Sequence, residues 1–162
     1  SENQTVLDVG SGTGRLLRLL ENQNPQFIGF GVDISEGMVE EARKNFPQFK
    51  FQKANAELLP FEDGKFDKII CSASFHHFPH PEDFLREANR VLKPGGELVI
   101  AEIHFPKFIL PMLNWYILKF NSEGDVRVYA PNEIVTLLRK NGFLVKTPSY
   151  FLQVQLHCGF RE

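Results

Sequence analysis

The sequence predicts an α/β protein with a doubly wound sheet, because strand-like and helix-like runs alternate along most of its 162 residues. Each β-branched or aliphatic run is followed by an amphipathic run, which is typical of parallel βαβ units with helices on both faces of one sheet. The first strand-like run ends in a glycine-rich turn, at the edge where open α/β sheets bind ligands. We therefore expect one domain, 1–162, with a buried core.

The predicted strands lie at about 4–9, 26–32, 48–53, 66–72 and 96–103. The predicted helices lie at about 13–23, 36–46, 81–92 and 131–141. After Gly142, the runs 143–146 and 150–160 predict two further strands. Only Thr147-Pro148-Ser149 connects these two runs, and so short a link suits an antiparallel pair.

Three glycines, Gly10, Gly12 and Gly14, form the turn between the first strand and the first helix. Such a turn lets a ligand approach the main chain and the unpaired amides of the helix, which indicates a nucleoside cofactor. Dinucleotide sites have the spacing G-x-G-x-x-G, but Arg15 occupies the third of these positions. Asp8 would repel a pyrophosphate, whereas it suits a ligand with an ammonium group, such as S-adenosylmethionine. A dehydrogenase and an ordinary glycine-rich βα turn stay open as alternatives.

An acid, Asp33, follows the second predicted strand. A carboxylate at this point accepts hydrogen bonds from the two hydroxyls of a ribose, both in dehydrogenases and in methyltransferases. Ile34 and Met38 would then flank the adenine as apolar contacts. The alternatives are that Asp33 caps a helix or is a solvated loop acid, and that Ile34 and Met38 belong to the core.

A histidine pair, His76-His77, follows the fourth predicted strand. An imidazole can take a proton from a hydroxyl, an amine or an acidic carbon, so both residues are candidate general bases. His80, Glu102 and His104 are weaker candidates. The alternative is that the pair contacts the substrate or packs in the loop.

Three segments together resemble a known family. The glycine turn resembles motif I of class I S-adenosylmethionine-dependent methyltransferases. The segment from Asn55 to Phe61 (Asn-Ala-Glu-Leu-Leu-Pro-Phe) is similar to the segment that passes the adenine in methyltransferases of the ubiquinone/menaquinone-biosynthesis type. Lys93-Pro94-Gly95-Gly96 matches the family turn that precedes the fifth strand.

The resemblance implies a single Rossmann-like sheet of about seven strands, mostly parallel, with an antiparallel last strand. It also implies in-line SN2 transfer of a methyl group from S-adenosylmethionine, with S-adenosylhomocysteine as product, to a small acceptor. Residues and resemblance together assign cofactor binding to Asp8, Gly10, Ser11, Gly12, Thr13, Asp33, Ile34, Met38, Asn55, Ala56, Glu57 and Ser72, and catalysis to His76 and His77.

The chain departs from the family pattern at Asn55, where an aspartate is usual. The amide oxygen of Asn55 can still accept a hydrogen bond from the adenine amine, but without assistance from a charge. We therefore expect somewhat weaker adenine binding than in the family.

An apolar and aromatic insertion, 104–130, follows the fifth predicted strand on the acceptor side. It suggests an apolar or aromatic acceptor, with an ordinary core helix as the alternative. Because the glycine turn begins almost at Ser1, we also expect that an N-terminal segment roofing the turn is missing. A degenerate methyltransferase-like domain that binds cofactor or a partner without catalysis stays open as a second function.

Composition and charge limit the classes of partner that we expect for this protein. A net charge of −2 gives no reason to expect nucleic acid, which usually selects a basic patch. No run is apolar and long enough to span a bilayer. Cys71 and Cys158 lie in apolar runs and are interpreted as buried free thiols, which favours a cytoplasmic location and no metal site. The sequence leaves the oligomeric state undetermined.

Overall fold

The computed structural model describes residues 3–106, 108–120 and 126–162. The strands are β1 (Gln4–Val9), β2 (Phe27–Asp33), β3 (Lys50–Lys53), β4 (Phe66–Ser72), β5 (Leu92–Ile103), β6 (Phe143–Val145), β7 (Ser149–Phe151) and β8 (Val154–Arg161). The helices are α1 (Arg15–Gln23), α2 (Glu36–Asn45), α3 (Pro81–Val91), α4 (Leu110–Phe120) and α5 (Pro131–Lys140).

These strands form one sheet in the order β3-β2-β1-β4-β5-β8-β6, and β7 pairs with β8 beside this path. Neighbouring strands from β3 to β5 are parallel, whereas β8 is antiparallel to both β5 and β6. Helices α1, α2 and α3 connect three of the parallel pairs, and a longer loop without a helix returns the chain from β3 to β4 beside β1, since a parallel neighbour cannot be reached by a tight turn. The predicted sheet, mostly parallel with an antiparallel last strand, is confirmed.

Helices cover both faces of the sheet, as a doubly wound fold requires. On one face, Val6 of β1 packs with Leu17 of α1 and Val39 of α2. On the other face, Leu7 of β1 packs with Leu85 of α3. Adjacent strand residues point to opposite faces, so Val6 and Leu7 each reach a different helix layer. The strand-end loops are thereby held between two rigid layers.

The run 150–160, predicted as one strand, is a hairpin of β7 and β8. Ser149 pairs with Leu156 and Phe151 with Val154, and Leu152 turns the chain with a φ of 53°. A leucine rarely adopts this left-handed conformation. Because the turn carries no glycine, proline or asparagine, the sequence pattern does not reveal it.

The Lys93-Pro94-Gly95-Gly96 segment also differs from the prediction. Leu92 already pairs with Phe66 of β4, so the segment is an irregularity within β5 and α3 ends before it at Val91. Gly95 has a φ of 76°, and Nζ of Lys93 lies 2.8 Å from Oδ2 of Asp67. The turn therefore fixes the register of the two central strands instead of separating a helix from a strand.

The predicted insertion 104–130 contains α4, while its residues 107 and 121–125 lie outside the described residues. Leu110 and Ile117 of α4 are buried, whereas Met112, Trp115 and Tyr116 are exposed. The helix thus packs with one face and leaves an aromatic face at the surface. In the ranges that the structure describes, no helix is long and apolar enough to cross a membrane.

Candidate active site

A cavity of about 610 Å³ opens at the carboxyl ends of the central strands. This volume lies within the range of small-molecule sites, roughly 300–1,000 Å³. Its wall includes residues from the loops that follow β1, β2, β3 and β4. The predicted residues that line it are Gly10, Gly12, Asp33, Ile34, Met38, Asn55, Ala56, Glu57 and His77.

The glycines of the turn serve different purposes, although all three have a positive φ. A Cβ on Gly10 would lie 2.3 Å from Oγ of Ser74, and a Cβ on Gly14 would lie 2.6 Å from the ring of Phe51. These two positions need glycine because neighbouring side chains touch the main chain. A Cβ on Gly12 would meet no atom within 4 Å, so the backbone at Gly12 opens to the cavity. This gap leaves room for the ligand that the sequence predicts against the turn.

The glycine turn is tied to the end of β2 by three hydrogen bonds. The amides of Gly10 and Ser11 both donate to the carbonyl of Val32 at 2.9 Å, and the amide of Gly12 donates to Oδ2 of Asp33 at 2.8 Å. The turn therefore has one shape before any ligand arrives. Such preorganisation lowers the entropy that binding must overcome.

Asp33 stands in the cavity wall with both carboxylate oxygens engaged by the main chain. Its Oδ1 accepts from the amide of Ser35 at 2.9 Å, and Ser35 itself caps α2. A carboxylate has about four acceptor positions, so Asp33 keeps capacity for two hydroxyl donors. Asp33 can therefore hold the loops around it and still accept hydrogen bonds from a ribose.

Two apolar side chains line the cavity and are exposed. Ile34 is 70% and Met38 45% exposed. Both follow β2, in the loop and first turn of α2, so neither belongs to the core. An apolar surface at the mouth of the cavity suits a flat ring that would cover it.

The loop after β3 is held by hydrogen bonds to its own residues and to α3. Oδ1 of Asn55 accepts from the amide of Glu57 at 2.9 Å, and Oε1 of Glu57 accepts from the amide of His80 at 2.8 Å. Glu57 therefore joins two walls of the cavity. Further along the loop, Oε2 of Glu87 accepts from the amide of Leu59 at 2.8 Å.

Four predicted cofactor residues lie outside the cavity wall: Asp8, Ser11, Thr13 and Ser72. Asp8 and Ser11 are buried, whereas Thr13 and Ser72 are half-buried. The structure brings all four next to the glycine turn or the end of β4. Contact between these side chains and a cofactor stays a prediction.

Asp8 is a buried carboxyl beneath the turn, 2% exposed. Burial, and to a lesser degree the nearby charge of Asp33, together raise the pKa of Asp8 to about 7. A neutral or half-ionised Asp8 at neutral pH gains its charge most readily when a cation approaches. This electrostatic property fits the predicted preference for a ligand with an ammonium group.

The two histidines of the pair face different surroundings. His77 lines the cavity, and its ring centroid lies 4.1 Å from that of His76. Nδ1 of His76 lies 2.7 Å from Oε2 of Glu102, at the end of β5. The pair therefore connects the cavity with a buried carboxylate that the sequence singled out only as a weak candidate.

Sequence reasoning missed several wall residues: Val9, Val32, Ser35, Ala54, Ala73, Ser74, Phe78 and Pro79. Ser74 is the most informative of these, since its hydroxyl donates to the carbonyl of Gly10 at 3.3 Å. Its position two residues after β4 is the available signal, because strand-end residues of a parallel sheet meet at one edge. In the described ranges, no group of three or more His, Cys, Asp or Glu side chains could hold a metal ion.

Comparison with known proteins assigns the family. The methyltransferase domain model matches residues 7–100, which include the whole glycine turn and the histidine pair. The chain belongs to the class I S-adenosylmethionine-dependent methyltransferases.

Two curated relatives of this methyltransferase have names that refer to quinones. The demethylmenaquinone methyltransferase of Thermotoga maritima is 32% identical over 93% of this chain and 75% of its own length. The ubiquinone/menaquinone biosynthesis C-methyltransferase UbiE of Bartonella quintana is 40% identical over 69% of this chain and 45% of its own. Among solved structures, a protein from Bacillus halodurans that is described as a methyltransferase superimposes on this chain with a TM-score of 0.83. The two sequences are 28% identical, and the match covers 93% of this chain and 67% of the other.

The residues of the cavity fit S-adenosylmethionine. The open backbone at Gly12 leaves room for a ligand against the main chain, and the acceptor oxygens of Asp33 suit hydroxyl donors. Ile34 and Met38 offer an apolar surface for a purine. Contact between the buried Asp8 and the ammonium group of the cofactor stays a prediction. These groups are of the kinds that binding of S-adenosylmethionine, the cofactor of the family, requires.

Proposed function

We propose that this methyltransferase methylates a carbon of a small aromatic acceptor of the quinone type, in its reduced quinol form. The observation that supports the proposal most strongly is its similarity over 93% of the chain to a demethylmenaquinone methyltransferase. The name of the UbiE relative, a C-methyltransferase, supports carbon as the methylated atom. A quinol is electron-rich, so its ring carbon can act as the nucleophile, particularly when a neighbouring hydroxyl loses its proton.

The cofactor would lie across the glycine turn, with its ribose at Asp33 and its adenine between Ile34 and Asn55. When bound, S-adenosylmethionine supplies an electrophilic methyl group on a sulfonium sulfur, and in-line SN2 transfer leaves the thioether S-adenosylhomocysteine. Asp33 orients the nucleoside through two hydroxyl donors while it keeps the amide of Gly12 in place. Alignment of this kind contributes about 7–11 kcal/mol to lowering a barrier.

The acceptor would approach from the side of His77 and α4. His77 and Phe78 line the cavity there, and α4 follows the end of β5 with an exposed aromatic face. The aromatic ring of Phe78 in the wall favours an apolar ring, and an imidazole takes the proton that the acceptor loses. We also propose a cytoplasmic location, supported by the free thiols of Cys71, which is buried as expected, and of Cys158, which is half-buried and not buried as expected.

The test combines binding with turnover. Calorimetric titration of the purified protein with S-adenosylmethionine and S-adenosylhomocysteine should give micromolar dissociation constants, and NAD should not compete. Methyl transfer from labelled cofactor should occur to a short-chain demethylmenaquinol but not to its ring-methylated counterpart, which is the matched control acceptor. Cofactor binding with no transfer to any quinol, phenol, amine or peptide in the panel would favour a binding domain without catalysis.

A further inference from the structure

We propose that Gln155, oriented by His157, is a positioning residue that holds the two ends of the insertion 104–130 at the methyl-acceptor side of the site. That this side receives the methyl acceptor rests on the function proposed above, whereas the positioning rests on the contacts of the described residues. Gln155 and His157 both belong to β8 and are fully buried. Buried polar side chains are stable only when other groups of the protein satisfy them, so their hydrogen bonds show which segments they hold.

The amide group of Gln155 joins the two ends of the insertion. Its Nε2 donates to the carbonyl of Ile103 at 3.3 Å and to the carbonyl of Tyr129 at 3.1 Å. Ile103 is the last residue of β5 and directly precedes the insertion, while Tyr129 directly precedes its last residue, Ala130. One side chain therefore ties the start and the end of the insertion to the same point of the sheet.

These contacts leave only one orientation for the amide of Gln155. Main-chain carbonyls only accept hydrogen bonds, so the NH₂ group must face Ile103 and Tyr129. Its Oε1 then faces Nε2 of His157, which lies 3.0 Å away. A carbonyl oxygen also only accepts, so Nε2 of His157 must carry the proton of this hydrogen bond. The contacts thereby fix the glutamine amide and the tautomer of the imidazole together.

The other nitrogen of His157 indicates that the ring is neutral. Nδ1 is buried and has no hydrogen-bond partner among the residues that the structure describes. An imidazolium would need a hydrogen-bond acceptor at both nitrogens, and burial lowers the pKa of His157 to about 4. A neutral ring with its proton on Nε2 is the form that orients Gln155.

The end of the insertion that is held in this way also contacts the loop with the histidine pair. The carbonyl of His76 accepts from the amides of Val126 and Arg127 at 2.9 and 3.2 Å. The next residue, His77, lines the cavity. Because Tyr129 follows Val126 and Arg127 closely in the chain, the place of its carbonyl determines how this segment reaches the cavity wall.

Helix α4 is connected to the same end of the insertion. Nδ2 of Asn114 donates to the carbonyl of Val128 at 3.1 Å, and Oδ1 of Asn114 accepts from the amide of Val128 at 2.9 Å. The side chain of Asn114 thus pairs with the main chain as a neighbouring strand would. Since Val128 directly precedes Tyr129, the hydrogen bond from Gln155 also bears on where α4 lies.

The cofactor side of the cavity is held by other contacts. The glycine turn is bonded to Val32 and Asp33 at the end of β2, on the far side of β1 and β4 from β8. Loss of the Gln155 amide should therefore weaken binding of the methyl acceptor and leave binding of S-adenosylmethionine unchanged. A general loss of structure would weaken both.

The first measurement uses the apoprotein and needs no methyl acceptor. In ¹⁵N NMR of the histidine side chains at pH 7, His157 should be neutral with its proton on Nε2, and His157→Phe identifies its signals. An Nδ1–H tautomer or an imidazolium at this pH overturns the proposal, because neither form fits the orientation of Gln155.

The second measurement uses the kinetics of labelled methyl transfer to demethylmenaquinol. Gln155→Met has a similar length but no donor, and should raise KM for the quinol about 10-fold, as expected for lost hydrogen bonds, while kcat and the dissociation constant of S-adenosylmethionine stay within about a factor of three. Gln52→Met on β3 is the matched control, because Nε2 of Gln52 is also buried but has no hydrogen-bond partner among the described residues. Equal KM values in the two variants overturn the proposal.

Two variants of His157 test the same role if Gln155→Met does not fold. His157→Phe keeps a ring but has no donor for Oε1 of Gln155, whereas the amide of His157→Gln reaches about as far as Nε2 and can donate. Amide exchange of Val126 and Val128 should be about 10-fold faster in His157→Phe than in His157→Gln, and KM for the quinol higher. Equal exchange in both variants overturns the proposal. A protein with the predicted tautomer and exchange that does not methylate the quinol contradicts only the proposed function.

Discussion

The backbone amide of Gly12 donates a 2.8 Å hydrogen bond to Oδ2 of Asp33, so the predicted ribose acid also holds the glycine turn. Asp33 sits 21 positions after Gly12, and its other oxygen accepts from the amide of Ser35. One carboxylate therefore joins the turn after β1 to the start of α2. A substitution of Asp33 should therefore affect both the shape of the turn and the binding of a ligand.

We predict that Asp33→Asn weakens S-adenosylmethionine binding by about 10–100-fold. An asparagine oxygen can accept from Gly12 or from Ser35, but its NH₂ group faces the other amide, so one contact is lost along with the charge. A hydrogen bond to a charged group contributes about 1.5–3 kcal/mol, which corresponds to that range. Calorimetry measures the affinity, and Asp83→Asn on the surface of α3 is the control. Unchanged affinity in Asp33→Asn would show that the ribose binds elsewhere.

We predict that Gly12→Ala abolishes cofactor binding at a modest loss of stability. Gly12 has a φ of 50°, and a Cβ there meets no protein atom within 4 Å, so the added methyl group occupies cavity space. Gly64→Ala is a matched control, because Gly64 also has a positive φ, 64°, and an open Cβ position but does not line the cavity. Both variants should lose about 1–2 kcal/mol of unfolding free energy from the left-handed backbone.

The comparison between these two variants separates strain from binding. Urea unfolding should give similar losses for Gly12→Ala and Gly64→Ala, whereas calorimetry with S-adenosylhomocysteine should show binding only in Gly64→Ala. Full affinity in a folded Gly12→Ala would contradict the placement of the cofactor against the turn.

Local patterns in the sequence predict the fold because each motif can be recognised from the residues next to it in the chain. The glycine spacing, the acid after the second strand and the alternation of runs predict the sheet and the part of the cavity wall that these motifs form. Contacts between distant segments are different. Ser74 and Gly10 follow the ends of two parallel strands, which indicates a shared edge, but neither local pattern indicates that the two residues touch.

The histidine pair is a second case in which a contact between distant segments could not be predicted. Its place after β4 predicts that it faces the cavity edge, but only the parallel pairing of β4 with β5 brings Glu102 close to His76. The hairpin of β7 and β8 escapes prediction for another reason. Leu152 adopts a positive φ although its side chain disfavours it, so the pairing of β7 with β8 overrides the local preference.

We predict that Asn55→Asp strengthens S-adenosylmethionine binding by about five-fold. Asn55 is exposed in the cavity wall, and its Oδ1 already accepts from the amide of Glu57. An aspartate keeps this contact and offers a charged oxygen to the adenine amine, which adds about 1 kcal/mol to a hydrogen bond. Asn132→Asp introduces the same charge on α5, away from the cavity. If Asn55→Asp and Asn132→Asp bind equally well, the adenine amine does not contact this side chain.

Asp8 should make the stability of the protein depend on pH in the opposite sense to most acids. Burial, and then the charge of Asp33, raises the pKa of Asp8 to about 7 in the folded state. An unfolded aspartate has a pKa near 3.9, so between about pH 4 and pH 7 the folded state binds more protons at this site. Its contribution to the unfolding free energy therefore falls as pH rises through this window, and is constant below and above it.

We predict that Asp8→Asn removes this decline, because the amide has the shape of the acid and does not ionise. The unfolding free energy of Asp8→Asn minus that of the unsubstituted protein should increase from pH 4 to pH 7, by at most about 4 kcal/mol, since one pKa unit corresponds to about 1.4 kcal/mol. Urea unfolding at pH 4.5, 6 and 7.5 measures the difference, with Asp83→Asn as the surface control. Any cost of burying the amide is the same at each pH, so it cannot produce this trend. A difference that is constant with pH would show that Asp8 ionises in the folded protein as easily as in the unfolded chain, and that a ligand gains nothing from ionising it.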